Sequence, residues 1–196
     1  ARVALGTNDI DFRARLTSDE ELSFLAAKIV GSKVANSDID RADSVLLVGF
    51  EPEEESPIVF LRIHKQVRKR ALKVNAIASK LSTGNVKLKA NFISVSPGAE
   101  AEAIAKIELT SNSVILVGER ASESAGALSA IVALADRTGA KIAWIPRRAG
   151  ERGALEAGAI GNLLPGGRPV ADSAARADVA TVWGVGRVRT ELRAEQ

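Results

Sequence analysis

The stretch VLLVGFEPEEESP, residues 45–57, decides the fold. Val45, Leu46, Leu47 and Val48 form an unbroken aliphatic run, too short for a helix and apolar on both faces. Gly49 ends it. Ser56 is a candidate N-cap and Pro57 a candidate first helical residue, so a helix follows. A strand buried on both faces and leading into a helix is the βα unit of a parallel sheet. Between the two elements stand four glutamates: Glu51, Glu53, Glu54 and Glu55. The loop after a strand's carboxyl end is where ligands of open α/β sheets bind. Carboxylates there repel a phosphate ligand, although each interacts favourably with a following helix dipole, by about 0.3–1 kcal/mol. A metal site is the other use for such a cluster, but consecutive acids cannot all point at one ion.

Working outward, Ile58, Leu61 and Ile63 are expected to face inward from this helix. Arg62, Lys65, Arg68, Lys69 and Arg70 make its end basic, which complements the dipole and suits an acidic partner. Residues 71–78, ALKVNAIA, read as the next strand. Residues 80–96 give a loop and a short strand, and Ser96-Pro97 opens a helix through Ile107. Upstream, ARVALG reads as a short strand ending at Gly6. Ser18 and Glu21 form a capping-box pattern ahead of Leu22, Leu25, Ala26, Ile29 and Val30 at helical spacing, with Gly31 to close.

A second unit echoes the first. LLVGFEPEEES (46–56) and ILVGERASES (115–124) both run from strand through glycine to acid to serine. Gly49 and Gly118 hold matching positions, which points to a duplicated architecture. Leu128, Ile131, Val132 and Ala135 share a helix face, Gly139 ends that helix, and KIAWI (141–145) is a strand. The glycine-rich stretch 146–169 reads as a long ordered loop with a short helix. TVWGVG (181–186) is a last strand candidate, and the tail 189–196 is expected to be mobile. Strands alternating with helices predict an α/β fold: a Rossmann-like three-layer αβα arrangement with a mostly parallel sheet. The repeat suggests two βα halves, 1–108 and 109–196, the second carrying the glycine-rich loop and the tail.

Composition excludes several chemistries. There is no Cys and only one His, so a disulfide, a thiol nucleophile, a cysteine-ligated iron–sulfur cluster and a multi-histidine metal site are all impossible here. No apolar run approaches ~18 residues. The net charge of +3 is too small to argue for nucleic acid, and the basic run lacks interleaved aromatics. No Met stands at position 1, so the chain is expected to begin inside a longer protein.

Other candidates divide between function and packing. His64 lies among cations and suits a solvated or partner-facing position better than a catalytic base. Arg147, Arg148 and Arg152 have the chemistry to grip an anion, but loop packing and ion pairs explain them equally. Trp144 and Trp183 sit in strand candidates and read as core or interface residues. Gly184 and Gly186 lack the third glycine of a dinucleotide fingerprint, and no phosphate loop occurs.

Read together, LGTNDIDFRAR (5–15), VLLVGFEPEEESPIVFLR (45–62), PGAEAEAI (97–104), ILVGERA (115–121) and WIPRRAGERGALEAGAIGNLLPGGRPV (144–170) resemble the G-subunit family of bacterial NADH-quinone oxidoreductase, respiratory complex I. The similarity is to the later portion of that large protein, which looks like a molybdopterin oxidoreductase domain. The resemblance implies a large peripheral-arm subunit on the cytoplasmic side, peripheral to the inner face of the cell membrane. It implies other peripheral-arm subunits as partners, no nucleic acid and no direct membrane insertion. Iron–sulfur clusters that pass electrons from NADH toward quinone would then lie in the N-terminal part of the parent subunit, outside this Cys-free segment.

Active molybdopterin relatives bind a guanine-dinucleotide cofactor through a Gly-Thr-Asn segment, matched here by Gly6, Thr7 and Asn8. They also have a glycine followed two positions on by asparagine. Gly49 matches the glycine, but Glu51 stands in place of asparagine. Their Asp-Pro-Arg triplet after the next strand has no counterpart at Ile77, Ala78 and Ser79. The resemblance therefore implies an inherited pocket, marked by Thr7, Asn8, Gly49, Glu51 and Gly118, that has lost its chemistry and serves as a scaffold with no cofactor in this segment. The alternatives are a working molybdopterin oxidoreductase resembling formate dehydrogenase, with a basic open cleft, and a free-standing domain that binds GDP or NAD.

Overall fold

The computed structural model describes residues 2–3, 5–13 and 15–182. They form two compact units, each discontinuous in sequence: residues 17–24 with 32–147, and the described residues among 2–16, 25–31 and 148–182. Position 108 falls inside the first of these, and strands from both sides of it join one sheet.

The sheet-bearing unit runs α1 (Asp19–Phe24), α2 (Asn36–Arg41), β1 (Ser44–Val48), α3 (Pro52–Glu55), α4 (Pro57–Arg70), β2 (Lys73–Ala78), α5 (Thr83–Lys87), β3 (Asn91–Ser94), α6 (Glu100–Ala105), β4 (Val114–Gly118), a 3₁₀ turn (Glu119–Glu123), α7 (Ala127–Thr138) and β5 (Lys141–Ile145). Five parallel strands lie in the order β3-β2-β1-β4-β5. Helices flank the sheet, and the architecture is the Rossmann-like three-layer α/β fold expected from the strand–helix alternation.

Alternation along each strand divides the core. Val45 and Leu47 of β1, Val74 and Ala76 of β2, and Val114 and Leu116 of β4 pack with Ile39 of α2 and with Val59, Phe60 and Ile63 of α4. The intervening residues, including Leu46, Ile115 and Val117, are equally buried, as are Leu128, Ile131 and Leu134 of α7. Strands covered on both faces explain the uninterrupted apolar runs. Trp144 of β5 is 7% exposed and is a core residue.

Helix α4 corrects one expectation. Of Ile58, Leu61 and Ile63, only Ile63 faces inward; Ile58 and Leu61 are 67% and 58% exposed. At about 100° per residue, the helix carries two apolar strips. Val59, Phe60 and Ile63 offer the wider one, continued by Val67 and the buried Gln66, and this strip meets the sheet. Ser56 does precede α4, but its side chain caps nothing.

Further differences have local causes. The capping box at Ser18 holds in part: its hydroxyl accepts from the Glu21 N–H at 3.1 Å. Phe24 is buried in α1, whereas Leu22 is partly exposed. Residues 80–96 contain a helix as well as a strand, because Ser82 Oγ accepts from Asn85 N at 3.0 Å and starts α5. The helix expected over 96–107 is confined to α6, as Gly98 at φ +92° breaks its start. Gly139, at φ +77°, closes α7 as expected.

The second unit contains a π-helical turn (Leu25–Ile29), α8 (Glu151–Glu156), a two-residue hairpin of β6 (Leu163–Leu164) and β7 (Arg168–Pro169), and α9 (Ser173–Val182). The glycine-rich stretch thus holds a hairpin besides the expected short helix. Among the described residues no strand forms at the amino end, where Arg2, Val3 and Leu5 lie in turns. The strand expected over 181–186 begins inside α9 at Thr181 and Val182; Trp183, Gly184, Gly186 and the tail lie outside the described residues.

Candidate functional site

The strand order reverses direction between β1 and β4, and the carboxyl ends of those strands are the ligand position of an open α/β sheet. Val48 and Val117 pair there in register, immediately before Gly49 and Gly118. Gly49 adopts φ +56°, a left-handed conformation that favours glycine. A Cβ on Gly49 would lie 2.3 Å from the Ala121 nitrogen, and one on Gly118 would lie 2.2 Å from the Gly49 carbonyl oxygen. Main chain from the two loops therefore fills the space between the two strand ends.

Two of the four glutamate side chains, Glu53 and Glu55, are held by the chain itself. The four glutamates start a one-turn helix of their own, α3, instead of capping α4. The Glu51 N–H donates to Glu55 Oε1 at 3.0 Å, and the N–H groups of Glu54 and Glu55 donate to the Glu51 carbonyl at 3.2 and 2.9 Å. Arg120, from the loop after β4, reaches Glu55 Oε1 at 2.5 Å. The Glu55 side chain is 6% exposed, so this pair ties the two strand-end loops through a buried carboxylate. Glu53 pairs with Lys87 of α5. Glu51 Oε1 sits 2.3 Å from where a Cβ of Gly84 would stand. Buried oxygens of Glu51 (Oε1) and Glu55 (Oε2) accept no hydrogen bond.

A molybdopterin guanine dinucleotide brings a pyrophosphate, which needs free N–H donors, cations and room for close approach. At this strand end the N–H groups of Glu51, Glu54 and Glu55 are already used, the cation Arg120 is paired, and two carboxylate oxygens lie orphaned. The residues present do not fit an anionic dinucleotide. No group of three or more His, Cys, Asp or Glu side chains that could hold a metal occurs among the described residues.

Thr7 and Asn8 belong to the other unit, where both make structural hydrogen bonds. Thr7 Oγ1 accepts from the Asp9 N–H at 3.1 Å. Asn8 Oδ1 accepts from Arg2 Nε at 2.8 Å and from the Asn162 N–H at 3.0 Å, while its Nδ2 donates to Asn162 Oδ1 at 2.9 Å. The Arg2 guanidinium also donates to the carbonyls of Gly158, Ile160 and Leu163. Burial lowers its pKa from the ordinary arginine value.

The loop arginines follow the packing explanation where they pair: Arg148 with Glu151 at 2.9 Å and Arg152 with Glu156 at 2.7 Å. His64 stacks on Phe60 with ring centroids 5.8 Å apart. Arg120 and Arg2 are the structuring residues that sequence reading missed. The signal for Arg2 was a lone cation in an apolar run. For Arg120 it was the matching position of GER and GFE after paired strands.

Residues 4–183 match the family model for molybdopterin oxidoreductase. The NADH-quinone oxidoreductase G subunits of Mycobacterium bovis and of Mycobacterium tuberculosis are each 53% identical over 193 residues, covering 93% of this chain and 24% of theirs. The Streptomyces coelicolor protein of the same name is 43% identical over 217 residues, covering 94% of this chain and 26% of its own. The chain thus spans about a quarter of the length of these curated relatives, and the resemblance drawn from its sequence blocks holds. With nearly its whole length matched and a five-stranded parallel sheet beneath the match, the chain belongs to the molybdopterin oxidoreductase family.

Proposed function

We propose that this chain is a structural, cofactor-free module of an NADH-quinone oxidoreductase subunit. The iron–sulfur clusters that pass electrons from NADH toward quinone lie elsewhere in the longer polypeptide. The module contributes to the enzyme as scaffold: it is part of an oxidoreductase but performs no chemistry of its own. Its partners are the neighbouring peripheral-arm subunits, and the parent complex holds it at the inner face of the cell membrane. Among the described residues no helix is long and apolar enough to cross a membrane.

One observation carries this reading. The strand-end position where relatives of this fold take a ligand is occupied by the chain's own backbone, with the Gly49 peptide packed into the side-chain space of Gly118 and the Ala121 main chain into that of Gly49. The buried carboxylates beside it add to the mismatch with a pyrophosphate.

Family membership by itself favours a second reading, a working molybdopterin oxidoreductase. Elemental analysis of the purified full-length subunit for Mo, W and Fe separates the two. Iron without stoichiometric Mo or W is the expected result. Stoichiometric Mo or W overturns the scaffold reading.

A further inference from the structure

The basic run RIHKQVRKR takes no part in the strand-end site. In α4, a helix of 14 residues and about 21 Å, it resolves into two opposite faces. One is centred on Ile63, fully buried against the sheet. On the other, Ile58 and Leu61 stand at the amino-terminal end, and Lys65, Arg68 and Lys69 follow at helical spacing, all exposed. Arg62 and Arg70 point elsewhere: Arg62 pairs with Asp40, and Arg70 donates to Gln66 and to the Ala42 carbonyl. By contrast, Lys65, Arg68 and Lys69 have no hydrogen-bond or ion-pair partner among the described residues.

This stripe has a definite chemistry. Two adjacent aliphatic side chains lie in water, and three uncompensated cations continue the same line. Charge complementarity fixes the partner: carboxylates opposite Lys65, Arg68 and Lys69, and an apolar side chain over Ile58 and Leu61. The order along the helix argues for a protein segment. A helix lying on a lipid surface carries cations flanking a long apolar strip with large aromatics. Here apolar and basic groups succeed each other end to end, and no aromatic lies on the stripe. A partner with its own end-to-end polarity matches that order.

We propose that the outward stripe of α4, from Ile58 to Lys69, docks an acidic, amphipathic segment of another protein. This rests on the scaffold reading only in expecting that protein to be another subunit of the same complex.

The test is site-directed photo-crosslinking in the assembled complex. A benzophenone amino acid replaces Leu61 in the full-length subunit, and crosslinked peptides are sequenced by mass spectrometry. The expected product joins Leu61's position to an acidic segment of a different polypeptide. Combining K65E, R68E and K69E should lower its yield about tenfold, the sum of three modest charge contacts. The control Lys106→Glu, at an exposed site just after α6, should leave the yield unchanged. The milder pair Lys65→Gln and Lys69→Gln serves if triple reversal disturbs folding, and should give an intermediate loss. Crosslinks to lipid, to the same polypeptide or to a non-acidic segment overturn the proposal, as does a yield indifferent to charge reversal. An acidic partner outside the oxidoreductase complex would support docking and would count against the scaffold reading alone.

Discussion

The Gly49 peptide occupies the volume that a side chain on Gly118 would need: a Cβ on Gly118 would fall 2.2 Å from the Gly49 carbonyl oxygen. Peptide groups, unlike the end of a long side chain, cannot swing aside. Gly118→Ala is therefore expected to destabilise by about 3 kcal/mol or more, above the usual range for overpacking. Gly153→Ala, inside α8 with nothing within 4 Å of the new Cβ, should be neutral or stabilising by up to about 1 kcal/mol. Urea unfolding of the two variants checks the contrast; equal effects would refute the close packing.

The Glu55–Arg120 pair gives a second measurement. Removing Arg120 strands a buried carboxylate that already has one oxygen without a partner. Arg120 is 44% exposed, so solvent tempers the loss. Arg120→Ala is expected to cost about 1–2 kcal/mol, and Glu55→Gln in the Arg120→Ala background should restore part of it. The exposed pair Arg168–Asp178 sets the comparison: Asp178→Ala should cost less than about 0.5 kcal/mol.

Helix α7 begins at Gly126, which has no side chain to cap it. Glu20 of α1 supplies the cap: Oε2 accepts from the Gly126 N–H at 2.9 Å, and Oε1 from the Ser129 N–H at 2.7 Å and its hydroxyl at 2.8 Å. Burial pushes the Glu20 pKa up, but the Ser129 and Gly126 hydrogen bonds outweigh it and hold the carboxyl below its ordinary value. A depressed carboxylate contributes stability above its unfolded pKa, about 4.3, and loses it as pH falls through the folded value. Glu20→Ala should cost about 1 kcal/mol near pH 7. The gap between wild type and Glu20→Gln should be constant from about pH 8 to 6 and shrink below about pH 4.3. A gap that widens in acid would contradict the assignment.

Arg2 offers a local readout. Its guanidinium holds the carbonyls of Gly158, Ile160 and Leu163, a fan that an ammonium group cannot reproduce. Both Arg2→Ala and Arg2→Lys are expected to raise protease cleavage within residues 158–163, with little change in the sheet-bearing unit. Limited proteolysis with mass mapping tests this; an unchanged cleavage rate would refute the anchoring role.

The parts of the fold written in long apolar runs were legible. β1, β4, β5 and α7 follow from Val45–Val48, Val114–Val117, the KIAWI segment and the Leu128–Ile131–Ala135 spacing. The inward face of α4 was not, because the helix carries two apolar strips and only the sheet chooses between them. α5 was missed because its start depends on one hydroxyl, Ser82, inside a polar stretch. At the site, the echo of Gly49 and Gly118 was visible. The packing of the Gly49 peptide against Gly118 was not, because it requires the register that sets Val48 beside Val117. Arg120 escaped notice because its partner, Glu55, is distant in sequence.

Point mutation edits side chains, and the obstruction between β1 and β4 is peptide. Exchanging Glu51 for asparagine, or deleting every carboxylate in α3, would leave the Gly49 carbonyl where it is. Glycine is already the smallest residue, so no substitution at either position can enlarge the gap. A designer wishing to seat a ligand between these strands would have to relocate a loop, by insertion or deletion after Gly118.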